Sequence, residues 1–401
     1  MALFITILGL YGVVVLLALF LCVRSISRHR RFNGKMLRLV FSVIFLFLSV
    51  TPFIGIAVQG VAMRRFFYKV SNLWLGFGIY LFMISVLVAI ILLLFPKLRK
   101  RLSDKFWEKF IAIALICVGF MIFGNIHYKQ VKKVTYNISA QAPAAYENGA
   151  ATTKKLKIAF VADTHLGSWI GSSQMEKMVT IINAMKPDIV LMGGDIFDSD
   201  YDMLKNPSEV IAVLKRIRSK YGTYGVYGNH DIKEKLIGGF SANPTKEAFR
   251  DPRMAAFMEK SRIHMLNDEV LKLGKGDLVL AGRFDGMKIG NRLVRRKTAK
   301  ELLEKVNPRS SVIVMEHEPM EFNAFKKLGV KLVLSGHTHA GQFFPFNIPQ
   351  PFIWENAYGL KKFGDMHSVV TSGVGLYGPP LRIGTDSEVV EINFSYKSYK
   401  K

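Results

Sequence analysis

Four long apolar runs without a charged side chain fill the first third of this 401-residue chain, and no other feature restricts its fold so severely. They are Leu3–Val23, Leu39–Met63, Val70–Phe95 and Phe110–Ile126, of 21, 25, 26 and 17 residues. A helix needs about 20 apolar residues to cross a bilayer core. The first three runs are long enough, and Tyr128 with nearby lysines extends the fourth into the interface. No amphipathic stripe marks them as helices of a soluble core. The first run has no basic leader and no small-residue cleavage site, so it does not read as a signal peptide. Residues 1–127 are therefore expected to form a transmembrane region of four helices.

Charge in the short connections sets the expected orientation. Arg24, Arg28, Arg30, Arg31, Lys35 and Arg38 follow the first run, Arg64, Arg65 and Lys69 the second, and Lys97, Arg99, Lys100, Arg101, Lys105 and Lys109 the third. This six–three–six pattern places the first and third connections in the cytosol. The protein is then a multi-pass membrane protein with everything after the fourth helix outside the cytosol. The net charge of +25 raises the question of nucleic acid. The first 149 residues hold 18 Lys and Arg against 3 Asp and Glu, so much of the excess serves helix orientation. No Arg-rich tract or aromatic stacking motif appears, which argues against nucleic acid and suits an anionic bilayer. Both cysteines, Cys22 and Cys117, fall inside apolar runs, leaving no thiolate metal site elsewhere.

Residues 128–156 read as a linker with a candidate first strand at Val134–Ser139. From Lys157 to about residue 397 the chain alternates short Val- and Ile-rich strands with helices, an α/β pattern of mixed sheet content. The strands are KIAFVAD, DIVLMGGD, YGVYG, DLVLAG, SVIVMEH and KLVLSGH, with two more in the tail, SVVTSGVG and SEVVEINF. Helices are expected over Gln174–Met185, Pro207–Lys220, Pro252–Ser261, Ala299–Val306 and Phe322–Lys327.

Five strands end in a cluster of polar residues: Asp163-Thr-His165, Gly194-Asp195-Ile-Phe-Asp198, Gly228-Asn229-His230-Asp231, His317-Glu-Pro and Gly336-His337-Thr-His339. Five of the nine histidines lie in these places. Each cluster alone reads as a turn or helix cap. Together they point to a site at the carboxyl edge of an α/β sheet. Carboxylate, imidazole and carboxamide donors without sulfur suit borderline or hard divalent ions such as Mn, Fe, Zn or Ni. There are donors enough for two, and paired ions assist displacement at phosphorus. Glycines beside the donors (Gly167, Gly194, Gly228 and Gly336) allow close backbone approach.

These five blocks resemble the calcineurin-like metallophosphoesterase superfamily, and the tail SGVGLYGPPLRIGTDSEVVEINF resembles its membrane-associated bacterial branch. The resemblance covers roughly residues 155–395. It implies a four-layer fold of two mixed β-sheets flanked by helices, placed after the membrane region. It implies hydrolysis of phosphate ester or pyrophosphate bonds by a water activated between two divalent metal ions. Asp163, His165, Asp195 and His339 would hold one ion, and Asp195, Asn229, His317 and His337 the other. His230, oriented by Asp231, would assist the leaving oxygen, and Asp198 would support the donors through hydrogen bonds.

Outside the blocks, Trp169 and Arg382 are candidates for substrate contact or support. His367 is a candidate neighbour of the site. The basic run Lys288–Lys297 suits a solvated face or phosphate head groups. The aromatic, proline-broken segment Phe343–Phe363 directly follows the last metal block, and beside a membrane it suggests a lipid-bearing phosphoester substrate. The competing reading is a transporter or channel with a regulatory or inactive phosphoesterase domain. The apolar runs lack the ionisable residues that transport paths place there.

Overall fold

The computed structural model describes residues 34–101, 106–140, 151–234, 236–237, 240–241, 249–274, 276–286, 288 and 295–399, with short pieces at 12–13, 15–20 and 23–24. The run Leu3–Val23 lies largely outside the described residues. The chain divides into two units, one reaching Ile122 and a larger one starting at Phe123.

Among the described residues, three helices are long and apolar enough to cross a membrane: Lys35–Ala57, Val61–Leu94 and Glu108–His127. The break between the first two differs from the reading above. It falls at Val58–Gly60, where Val58 and Gly60 are extended. Arg64, Arg65 and Lys69, read as loop residues, belong to the helix Val61–Leu94. Arginine and lysine are good helix formers, so the helix begins in their polar stretch and runs on into the apolar one.

In the larger unit two six-stranded sheets carry the fold. The first runs in the order Val131–Ser139, Ser387–Tyr399, Ala151–Val161, Ile189–Gly193, Thr223–Val226 and Ile263–Met265. Its last four strands are mutually parallel, and Ser387–Tyr399 is antiparallel to Ala151–Val161. The second runs Gly359–Phe363, Met366–Val370, Leu332–Ser335, Ser311–Met315, Leu278–Gly282 and Glu269–Leu273, with the inner four parallel and both edges antiparallel. Both sheets are mixed and flanked by helices.

Strand alternation explains the layering. Ile158 and Phe160 face a core shared with Leu280, Ile313 and Leu334 of the other sheet. Ala159 and Val161 face outward, onto Met175, Met178 and Ile182 of the helix Ser172–Met185. In the second sheet Val279, Val312 and Val333 face out onto Leu302, Phe322 and Phe325. With apolar side chains on both faces, each inner strand reads as a nearly continuous hydrophobic run.

Two departures have local causes. Strand Ala151–Val161 starts in the expected linker, because it pairs along its length with the long carboxyl-terminal strand from Val390↔Phe160 to Tyr399↔Ala151. The helix from Pro207 stops at Leu214 instead of Lys220. Asn183 donates to the Arg216 carbonyl and accepts from the Arg218 N–H, both at 2.8 Å, which draws that backbone out of a helix.

Candidate active site

The carboxyl ends of the parallel strands in both sheets meet at one place, and every polar block follows one of them. The price of this convergence is backbone strain. Asp163, His165, Asp195, His337 and His339 all have positive φ, between 43° and 71°. Such conformations cost non-glycine residues about 1–3 kcal/mol each and cluster at functional sites. Glycine serves where a donor lies against the neighbouring backbone: a Cβ on Gly194 would sit 2.6 Å from His317 Nδ1, and one on Gly336 2.5 Å from Asp163 Oδ2.

Among the described residues the donors form three groups, Asp163 with His165 and His339, Asp195 with His317 and His337, and His165 with Asp198 and His230, all buried except the partly exposed His337 and His230. In the first, His165 Nε2 lies 3.0 Å from His339 Nε2, and Asp163 Oδ1 lies 3.7 Å from the latter. In the second, Asn229 Oδ1 is 2.8 Å from His337 Nδ1. Asp195 stands between the groups, with Oδ2 3.1 Å from His317 Nε2 and 3.7 Å from His165 Nε2. The Asp163 carboxylate also accepts the His337 backbone N–H. Thr338 turns away and donates to the Ala357 carbonyl.

His317 tests whether this set fits a cation. Its Nδ1 lies 2.8 Å from the Gly193 carbonyl, which can only accept, so Nδ1 carries the proton. Nε2 is buried and faces the Asp195 carboxylate at 3.1 Å. Burial lowers the ring's basicity, but Asp195 and then Asp163 outweigh it and raise His317 well above the ordinary imidazole value. Two buried carboxylates around this nitrogen call for positive charge, supplied by a proton at Nε2 or by a cation that replaces it. The donors are oxygen and nitrogen only, which fits divalent ions of the borderline or hard type.

The electrostatics agree. Burial raises the Asp163 carboxyl to about 6, against the pull of His317. Burial pushes Asp195 up as well, but the imidazoles of His317 and His230 outweigh it and hold this carboxyl well below its usual range. Burial lowers His337 to about 3, keeping its ring neutral and able to donate a lone pair.

His230 is partly exposed at the edge of the site, its ring 5.0 Å from that of His165. The residue that orients it is Ser199, whose hydroxyl lies 2.9 Å from His230 Nδ1. Asp231, expected in that role, does something else. Its Oδ1 accepts from the N–H groups of Ile196 and Phe197, and its Oδ2 from Gly228, at 2.8–2.9 Å. It stitches the Asp195 loop to the Asn229 loop. Asp198 faces His165 Nδ1 at 3.6 Å.

The remaining candidates separate. Trp169, partly exposed, packs against the helix-side core. Arg382 is fully buried. Its strongest bonds go to the carbonyls of Ser372 (2.6 Å) and Gly375 (2.7 Å), and a terminal nitrogen lies 3.4 Å from His339 Nδ1. It braces the loop behind a donor histidine and has no surface for substrate. His367 pairs with Leu332, at the far end of the strand from the polar edge. Of the run Lys288–Lys297, residues 289–294 lie outside the described residues. Lys288 pairs with Glu234, Arg295 with Glu301 and Arg296 with Glu316.

Sequence reasoning missed Ser199 and Tyr377. The Tyr377 ring lies 4.9 Å from that of His339 and 6.0 Å from that of His165. An aromatic residue in the loop between Met366–Val370 and Ser387–Tyr399 carries no metal-site signal. Ser199 directly follows Asp198 and was within reach of the motif.

Comparison with known proteins fits this geometry. Residues 156–341 match the calcineurin-like phosphoesterase family. The chain is 30% identical over 249 residues to an uncharacterized metallophosphoesterase of Campylobacter jejuni, covering 61% of this chain and 60% of that protein. It is 29% identical over 245 residues to a transmembrane protein with metallophosphoesterase domain of Bos taurus, covering 59% and 52%. A third relative, an uncharacterized metallophosphoesterase of Helicobacter pylori, is 29% identical over 250 residues, covering 61% of each. The chain thus spans between half and two thirds of the length of these relatives.

Proposed function

Because residues 156–341 are a calcineurin-like metallophosphoesterase domain, of a family of hydrolases acting on phosphoester bonds, we propose that this protein is a membrane-held, metal-dependent phosphoesterase whose substrates include lipid-linked phosphoesters. The observation that carries the reading is the convergence of two donor groups on Asp195, with the buried His317 Nε2 facing its carboxylate at 3.1 Å. Asp163, His165, Asp195 and His339 would hold one divalent ion, and Asp195, Asn229, His317 and His337 a second. When bound, such ions acidify a water and neutralise charge on the phosphoryl oxygens. His230 lies beside the site, and Ser199 orients its Nδ1, which leaves Nε2 to donate to the leaving oxygen. Asp231 holds the loops bearing Asp195 and Asn229 in register.

Two features support a lipid-bearing substrate. Among the described residues, three apolar helices of membrane-spanning length precede the domain. Trp354, partly exposed, stands edge-on to His337 at 5.2 Å and so brings an apolar rim to the metal group. The distribution of Lys and Arg between the apolar runs supports a catalytic domain outside the cytosol.

The test is hydrolysis by purified protein of a panel containing a chromogenic phosphodiester, a monoester and phospholipid or lipid-pyrophosphate vesicles. Chelation by EDTA should abolish turnover and Mn should restore it. A protein that holds its metal and cleaves no member of the panel refutes the proposal.

A further inference from the structure

The larger unit hides its apolar side chains well, with one exception. Between residues 128 and 399, seven of the eleven described large hydrophobic side chains that are exposed fall within Phe344–Leu360. Phe352 is 88% exposed and Ile353 62%, and Phe344, Phe346 and Ile348 are also open. The stretch Phe343–Ile353, FFPFNIPQPFI, has no charged residue. An apolar cluster this dense on a folded domain marks an interaction surface.

The segment is also folded in a way that suits an apolar medium. Its backbone satisfies itself: the N–H groups of Phe346, Ile348, Phe352 and Trp354 donate to the carbonyls of Phe343, Pro345, Pro349 and Gln350. Pro345, Pro349 and Pro351 bring no N–H at all. Backbone placed in lipid must be internally bonded, and here most of that requirement is met before insertion.

Its position names the occupant. Phe344 N–H donates to the Ile383 carbonyl at 2.9 Å, and the next residue back, Arg382, donates its N–H to the carbonyl of Gly124 at 3.1 Å. Asn125 donates to Pro380 in the same loop. Gly124 and Asn125 lie in the last turns of the apolar helix that ends at His127, where Phe123 and Ile126 are exposed. Lys129, Lys132 and Lys133 follow at once and end the apolar stretch. The open aromatic cluster is thus one short loop away from the end of a membrane-spanning segment.

We infer that Phe344–Ile353 is a membrane-seated loop that inserts Phe352 and Ile353 into the lipid surface and holds the metal groups at head-group level. Insertion of about 5–10 Å is typical for apolar faces lying in the interface. The metal loop His337–His339 ends five residues before Phe344, and Trp354 touches His337, so seating the loop sets the height of the site above the lipid. This rests on the membrane part of the function proposed above and not on its chemistry.

The test uses full-length protein in nanodiscs holding one copy each, with Cys22→Ala and Cys117→Ala and a single new cysteine carrying an environment-sensitive fluorophore. Phe352→Cys and Ile348→Cys report the loop, Lys300→Cys the exposed face of the domain, and Leu115→Cys the apolar helix. At 352 and 348 we expect blue-shifted emission, quenching by lipids doxyl-labelled near the head group, and protection from iodide. Lys300→Cys should show iodide quenching alone. If 352 and 348 respond like 300, the inference is overturned. Protection from both quenchers would show a covering protein surface and would overturn it equally. Loss of lipid quenching at 115 would refute the membrane reading itself, whereas quenching at 115 but not at 352 and 348 sinks only the seated loop. No turnover is needed, so the outcome is independent of the catalytic proposal.

Discussion

Asp231→Ala is expected to cost the larger unit a substantial part of its stability, and the amount follows from three hydrogen bonds. The Asp231 carboxylate accepts the N–H groups of Ile196, Phe197 and Gly228 at 2.8–2.9 Å, and it is fully buried. An unsatisfied buried donor costs about 1–3 kcal/mol. Three would cost about 3–9 kcal/mol, less the relief from no longer burying a carboxylate beside Asp195, which leaves about 3–5 kcal/mol, in line with broken buried charge contacts. Domains hold only about 5–15 kcal/mol in all. Asp231→Asn keeps one acceptor oxygen and should lose about 1–3 kcal/mol. Both losses are read by denaturant unfolding of metal-loaded protein, followed through tryptophan fluorescence. Trp169 packs on the core that includes Ile196 and Phe197 and serves as the local probe. If Asp231→Asn is as stable as the parent and only shifts the pH–rate profile, Asp231 acts as the partner of His230, and the structural role assigned here is wrong.

Two further outcomes are expected. His230→Ala should retain its metal by elemental analysis yet lose about 100–10,000-fold in rate, the range for a general acid or base; Ser199→Ala, which removes one orienting hydrogen bond of about 0.5–1.5 kcal/mol, should lose only about 2–10-fold. A pH effect is expected at Asp386, which is 2.7 Å from His127 and 2.9 Å from Lys132. Burial pushes its carboxyl up, but the hydrogen bonds from Lys132 and His127 outweigh this and hold it below the ordinary carboxylate range. A depressed folded pKa stabilises above the unfolded value and is lost as pH falls through the folded one. Hydrogen-exchange protection of the Arg382 amide should therefore fall in that acid window, and Asp386→Asn should show the weaker protection already at neutral pH. Unchanged protection in both would remove this contact from the account.

Some of this architecture is legible in the residues because its causes are local. Inner strands such as Ile189–Gly193 are apolar on both faces and short, and a polar cluster directly after such a strand marks its carboxyl end. Other features depend on contacts between distant segments. The helix from Pro207 stops early because of Asn183, over 20 residues upstream. Asp231 reads as a neighbour of His230, yet its carboxylate reaches back to residues 196 and 197. Arg382 reads as a contact to substrate or as a support, and it takes the second role because backbone carbonyls of its own loop enclose it. The positive φ values at Asp163, His165, Asp195, His337 and His339 have no signature in residue type, since three of the five are histidines. The break at Val58–Gly60 escaped because apolar composition continues across it and only the backbone changes.

The most direct measurement is equilibrium metal binding by the purified full-length protein, with elemental analysis as the count. Two divalent ions per chain are predicted, His317→Ala should keep only the ion held by Asp163, His165 and His339, and Asp195→Asn should weaken both. A chain that binds no ion, or whose binding survives the loss of both Asp195 and His317 unchanged, contradicts the account.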